Sequence, residues 1–144
     1  MRLRMRLSRR QPLPSRRVTR SIDLDAPAHV VWDALTDPDL LADWLAPDVE
    51  LEPTPGAPLT CRLEDGELRH GVVTEADEHR RLAFTWTRGD GPSQVDLRLT
   101  ETDDGTRLTV TESALSASAS VAGDRDWGHR LESLRRCLAS LAYA

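Results

Sequence analysis

The sequence predicts an α+β domain in which a curved antiparallel sheet is covered on one face by a long C-terminal helix. Three observations predict it. Apolar and polar residues alternate in short runs between Val18 and Val110, the period of half-buried strands. The later runs are joined by turns such as Asp65-Gly66, Gly89-Asp90-Gly91-Pro92 and Asp103-Asp104-Gly105, short enough to require antiparallel pairing. Trp127, Leu131, Leu134, Leu138 and Leu141 then recur at helical spacing and form one apolar stripe.

The elements follow in order. Val18, Arg20, Ile22 and Leu24 alternate with Thr19, Ser21, Asp23 and Asp25, a first strand. Asp25-Ala26-Pro27 is expected to open a helix, with Asp25 as N-cap and Pro27 in the first turn. Val30, Val31, Ala34 and Leu35 supply its buried stripe. Thr36-Asp37-Pro38 breaks it, and Asp37 and Pro38 cap a short second helix carrying Leu40, Leu41, Trp44 and Leu45. Pro47, Pro53, Pro55 and Pro58 bracket a loop with a weak edge strand over residues 49–52.

Five further strands are read from the alternation. They carry Leu59, Cys61 and Leu63; Leu68, His70, Val72, Thr74 and Ala76; Leu82, Phe84 and Trp86; Val95, Leu97 and Leu99; and Leu108 and Val110. Residues 113–123 are small, polar and poorly patterned, and read as a loop or a fraying helical turn. The order is β-α-α, five or six more strands, then α. A sheet of six to seven strands curls under its own twist, so a gap is expected between it and the helix of residues 126–142. A ligand would sit in that gap.

Composition bounds the function. The chain has 144 residues, 39% apolar and 30% charged, enough for one domain with a real core. Residues 1–20 carry eight arginines and no acid, whereas the other 124 carry a net −13. Residues 1–17 therefore read as a flexible basic arm ahead of a single domain over 18–144. An acidic body argues against nucleic acid as a partner, since phosphate binding needs a basic surface. No apolar run reaches the ~18 residues of a membrane span, and the arginine-rich start lacks the apolar stretch of a secretory signal, so a cytoplasmic protein without membrane insertion is expected. A homodimer through the arm or an open sheet edge stays open.

Few residues look catalytic. The four histidines, His29, His70, His79 and His129, show no zinc-ligand spacing, and two cysteines cannot make a disulfide framework, so neither metal nor cofactor is expected. Cys61 and Cys137 read as small buried apolar residues. His70 shares the parity of Leu68 and Val72; if that face lines the gap, its imidazole is the acid–base candidate. Trp44, Phe84, Trp86 and Trp127 fall in the segments around the gap, where they serve either as a ligand wall or as plain core, with core favoured for Trp127.

These segments resemble a known family. Asp25-Ala26-Pro27, then Val31-Trp32-Asp33-Ala34-Leu35-Thr36-Asp37-Pro38 and Trp44-Leu45, is similar to the opening of the START-like (SRPBCC) superfamily. The branch is that related to the activator of the 90-kDa heat-shock chaperone ATPase. Arg81-Leu82-Ala83-Phe84-Thr85-Trp86, Gly105-Thr106-Arg107-Leu108-Thr109-Val110, and Trp127 with Leu131, Leu134 and Leu138 resemble its later strands and final helix. One departure is visible: the family often has Gly before the helix tryptophan, whereas here Asp126 precedes Trp127 and Gly128 follows it.

The resemblance implies the helix-grip fold, a curved sheet wrapped around the C-terminal helix with an elongated cavity, and no single activity. The first expectation is a domain that binds an apolar or ring-containing small molecule in that cavity. Leu41, Trp44, Cys61, His70, Val72, Phe84, Trp86, Leu97, Leu131 and Leu134 are the expected contacts, and the 46–58 loop the lid. The alternatives are a polyketide cyclase- or dehydratase-like enzyme using His70, and an interaction module binding a chaperone or other protein partner, with its interior filled by side chains.

Overall fold

The structure, a computed structural model, describes residues 17–88, 91–116 and 124–142. The arm expected over 1–17 lies outside those residues apart from Arg17, as do residues 117–123 of the loop. Strands β1 (Arg17–Leu24), β2 (Asp48–Leu51), β3 (Pro58–Arg62), β4 (Leu68–Asp77), β5 (Arg81–Arg88), β6 (Gly91–Thr102) and β7 (Gly105–Ala114) form one sheet. Its order is β1-β7-β6-β5-β4-β3-β2, with every neighbouring pair antiparallel. Helices α1 (Ala28–Thr36), α2 (Pro38–Trp44) and α3 (Asp124–Ala142) cover one face. This is the helix-grip arrangement.

The alternation in each strand sorts the two faces. Ile22, Leu24, Leu59, Cys61, Leu82, Phe84, Trp86, Val95, Leu97, Leu108 and Val110 are buried toward the helices. From the other side, α3 sends down Trp127, Leu131, Leu134 and Leu138, and α1 sends Val31, Trp32, Ala34 and Leu35. Gly128 of α3 lies against β1: a Cβ there would sit 3.1 Å from the Arg20 guanidinium.

The helix starts differ in part from expectation. The N-cap of α1 is Pro27, with no side-chain cap bond, rather than Asp25. Asp25 is exposed two residues ahead of the cap, and Thr106 Oγ1 donates to the Ala26 carbonyl (2.7 Å) and fixes the entry there. At α2 the reading holds: Pro38 occupies the first turn and Asp37 Oδ1 accepts from the Asp39 N–H at 2.9 Å. Trp44 Nε1 donates to the Ala34 carbonyl (2.8 Å), tying α2 to α1.

The largest correction is in β4. Its pairing with β5 shifts register between Val73 and Glu75, a β-bulge. Before the bulge Arg69, Gly71 and Val73 face the helices, while Leu68, His70 and Val72 face outward and are exposed. Beyond it Ala76 pairs with Leu82 and packs against the core. A single parity from Leu68 to Ala76 therefore does not exist. Gly71 lies opposite Trp86, and a Cβ on it would run into the Thr85 carbonyl.

Candidate functional site

The gap between sheet and α3 is occupied by side chains. Trp86 of β5 and Trp127 of α3 stack with ring centroids 6.4 Å apart and planes 21° from parallel. Phe84 meets Trp86 edge-on at 5.3 Å. Of the ten residues expected there, Leu41, Trp44, Cys61, Phe84, Trp86, Leu97, Leu131 and Leu134 do lie together in the core. His70 and Val72 do not. Both stand on the outer face, Val72 at 39% exposed and His70 between Thr60 and Thr87 of the neighbouring strands. An imidazole on that face cannot reach a ligand held under α3, so the acid–base assignment to His70 is corrected.

The interior carries charges that were not anticipated. Glu112 of β7 is 1% exposed. It accepts from Trp86 Nε1 (3.0 Å), Trp127 Nε1 (3.0 Å) and Ser93 Oγ (2.6 Å), so the carboxylate is held by donors from three elements. Arg69 of β4 is 3% exposed, with its guanidinium carbon 4.4 Å from the Trp86 ring centroid and one N–H group on Glu67 at 3.2 Å. Arg130 of α3 lies 4.8 Å from the Trp127 centroid and 5.9 Å from that of Trp86. Burial, and next the Arg69 charge, pushes the Arg130 guanidinium below its usual range, while Glu112 opposes the shift. Burial likewise pushes the Cys61 thiol up, against the pull of Arg69 and Arg130.

Sequence reasoning missed this trio because it ranked apolar positions. The signal was present: Glu112 continues the Leu108-Val110 parity, Arg69 that of Gly71 and Val73, and Arg130 follows Trp127 by three residues, on the same helix face.

One end of this layer opens to solvent. A pocket of about 460 Å³ lies between α2 with the residues after it, the β3–β4 turn and the first half of α3. Trp44, Leu45, Ala46, Pro47 and Leu63 form its apolar wall, Arg69 and Arg130 line it, and Asp43, Glu64, Asp65, Glu67 and Asp126 carry acidic charge. His129 and Ser133 complete the α3 side. The expected lid is corrected in part. Gly56 N–H donates to the Val73 carbonyl (2.8 Å) and the Ala57 carbonyl accepts from Val73 N–H (2.9 Å), so the loop is fastened to β4. The β3–β4 turn takes its place as the third wall. The half-buried Cys137 thiol of α3 donates to Asp43 Oδ2 of α2 at 3.8 Å. Among the described residues no group of three or more His, Cys, Asp or Glu could hold a metal ion, and no helix is long and apolar enough to cross a membrane.

Comparison with known proteins agrees with this fold. The chain superposes on protein MLL2253 from Mesorhizobium loti with a TM-score of 0.80 and 25% identity, over 87% of this chain and 98% of that one. DynU16, from the dynemicin biosynthetic locus, gives 0.75 and 28%, over 86% of this chain and 47% of its own length. CalU16 from Micromonospora echinospora gives 0.72 and 27%, over 85% and 76%. No curated protein matches the chain. Residues 25–139 match the family of activator of Hsp90 ATPase homolog 1-like proteins, which takes in both early helices, all strands after β1, and α3 down to its last turn. The chain belongs to that family.

Proposed function

We propose that this domain binds a small molecule with an apolar or ring-containing body, seated in the end pocket rather than along the full length of the gap. The observation that carries this reading is a concavity of about 460 Å³ beside Trp44, Leu45 and Leu63, at the point where the sheet, α2 and α3 leave their packing unfinished. Ligand sites have that size, and here an apolar wall stands beside a strongly charged one that carries two arginines. A relative within a biosynthetic locus is in keeping with it. Native mass spectrometry of freshly purified protein, beside its denatured mass, tests the reading. A non-covalent added mass, or saturable quenching of tryptophan emission by a panel of ring compounds, is expected. A clean mass with no response across the panel sinks it.

One observation favours a second reading. Trp86, Trp127 and Phe84 fill the gap that a ligand-carrying cavity would occupy. A domain with a filled interior acts through its surface on a protein partner, and it predicts the clean mass and the silent panel.

A further inference from the structure

We propose that the ligand of the end pocket is a singly charged organic acid, its carboxylate held by Arg69 and Arg130 and its apolar body against Trp44, Leu45 and Leu63. The inference rests on the reading of that pocket as a ligand site and adds the chemical class. Arg69 is 3% exposed yet lines the pocket, and its Nε has no hydrogen-bond partner among the described residues. Arg130 lines the same pocket and leaves one terminal nitrogen in the same condition. Buried N–H groups without an acceptor are costly, and two guanidiniums near one ring repel each other. Glu112 is engaged by two indoles and Ser93, and Glu67 takes a terminal nitrogen of Arg69 but not its Nε. An acceptor brought in from the pocket satisfies both arginines, and a carboxylate has the planar pair of oxygens that matches a guanidinium.

The same walls limit the charge. Asp43, Glu64, Asp65, Glu67 and Asp126 line the pocket around the arginines. Their repulsion grows with each negative charge on a ligand, so a phosphate dianion is disfavoured where a monocarboxylate is held.

Isothermal titration of the full chain at neutral pH with naphthalene-2-carboxylate, naphthalene-2-carboxamide and 2-naphthyl phosphate tests this. The carboxylate is expected to bind about tenfold or more tightly than the amide, the gain of a charge-assisted contact. The phosphate is expected to bind more weakly than the carboxylate. Equal affinity for carboxylate and amide overturns the inference and leaves the ligand-site reading standing. Tighter binding of the phosphate overturns the single-charge assignment. Failure of all three to bind overturns both. In Arg130→Gln, which keeps a helix-forming residue, the preference for carboxylate is expected to vanish, and its survival overturns the assignment to Arg130. The three-ligand comparison on the unaltered chain needs no variant to fold.

Discussion

Two indole N–H groups and a serine hydroxyl reach Glu112 from β5, α3 and β6, so one carboxylate joins the middle of the sheet to the helix that covers it. A buried carboxylate is tolerable only because these donors replace its water and Arg130 lies close by. Glu112→Leu leaves the two indole N–H groups and the Ser93 hydroxyl without their carboxylate and removes the buried countercharge nearest Arg130. It is expected to destabilise by about 3–5 kcal/mol in urea unfolding. Glu112→Gln keeps one acceptor oxygen and is expected to cost about 1–3 kcal/mol. Equal stability of the leucine variant and the parent would show that the carboxylate does not organise the interior. Cys61 gives a second expectation. Its folded thiol is raised by burial, so its contribution is complete below the unfolded thiol value of about 8.5 and lost as pH rises through the folded one. Stability measured from pH 7 upward is therefore expected to fall in the alkaline range, and less so in Cys61→Ala.

At the scale of the element, β4 is where the sequence and the structure part. A helix cap is a local device, so Asp37-Pro38 could be read directly as the start of α2. The faces of β4 are set by its neighbours instead. Leu68 and Val72 supply an apolar parity that the structure leaves in solvent, while Arg69 and Gly71 sit inside, where Trp86 takes the guanidinium on its face and the β5 backbone approaches too closely for a Cβ. The bulge after Val73 then returns Ala76 to the core, which makes the run look continuous. Cation–π stacking, close backbone approach and bulges are invisible to a period of two. Gly71→Ala is expected to destabilise by about 3 kcal/mol or more, because the clash is with main chain. His70→Ala, one residue away on the exposed face, is expected to change stability by no more than about 0.5 kcal/mol and to leave ligand binding intact. Circular-dichroism melts of the pair check both, and a large loss in His70→Ala would put the strand's faces in question.

The whole molecule was legible for a reason of topology. From β2 to β7 each strand pairs with the next in sequence, so short turns and alternation carry the sheet order, and the helical stripe of Trp127, Leu131, Leu134 and Leu138 names its cover. What the chain order could not convey is whether side chains fill the space beneath that cover. The Trp86–Trp127 stack fills it, which separates two modes of binding. A ligand confined to the end pocket stabilises the native state by mass action without disturbing the stack. At a hundredfold excess over Kd that amounts to about 2.7 kcal/mol, or roughly 5–10 °C in Tm for a domain of this size. A ligand that threads the gap must part the two indoles and the donors they give to Glu112, so its gain in Tm is smaller and its near-ultraviolet circular dichroism changes. Naphthalene-2-carboxylate is expected to raise Tm while leaving the tryptophan dichroic bands of the free protein in place. Loss of those bands on saturation would place the ligand between sheet and helix, and the end pocket would then be its entrance.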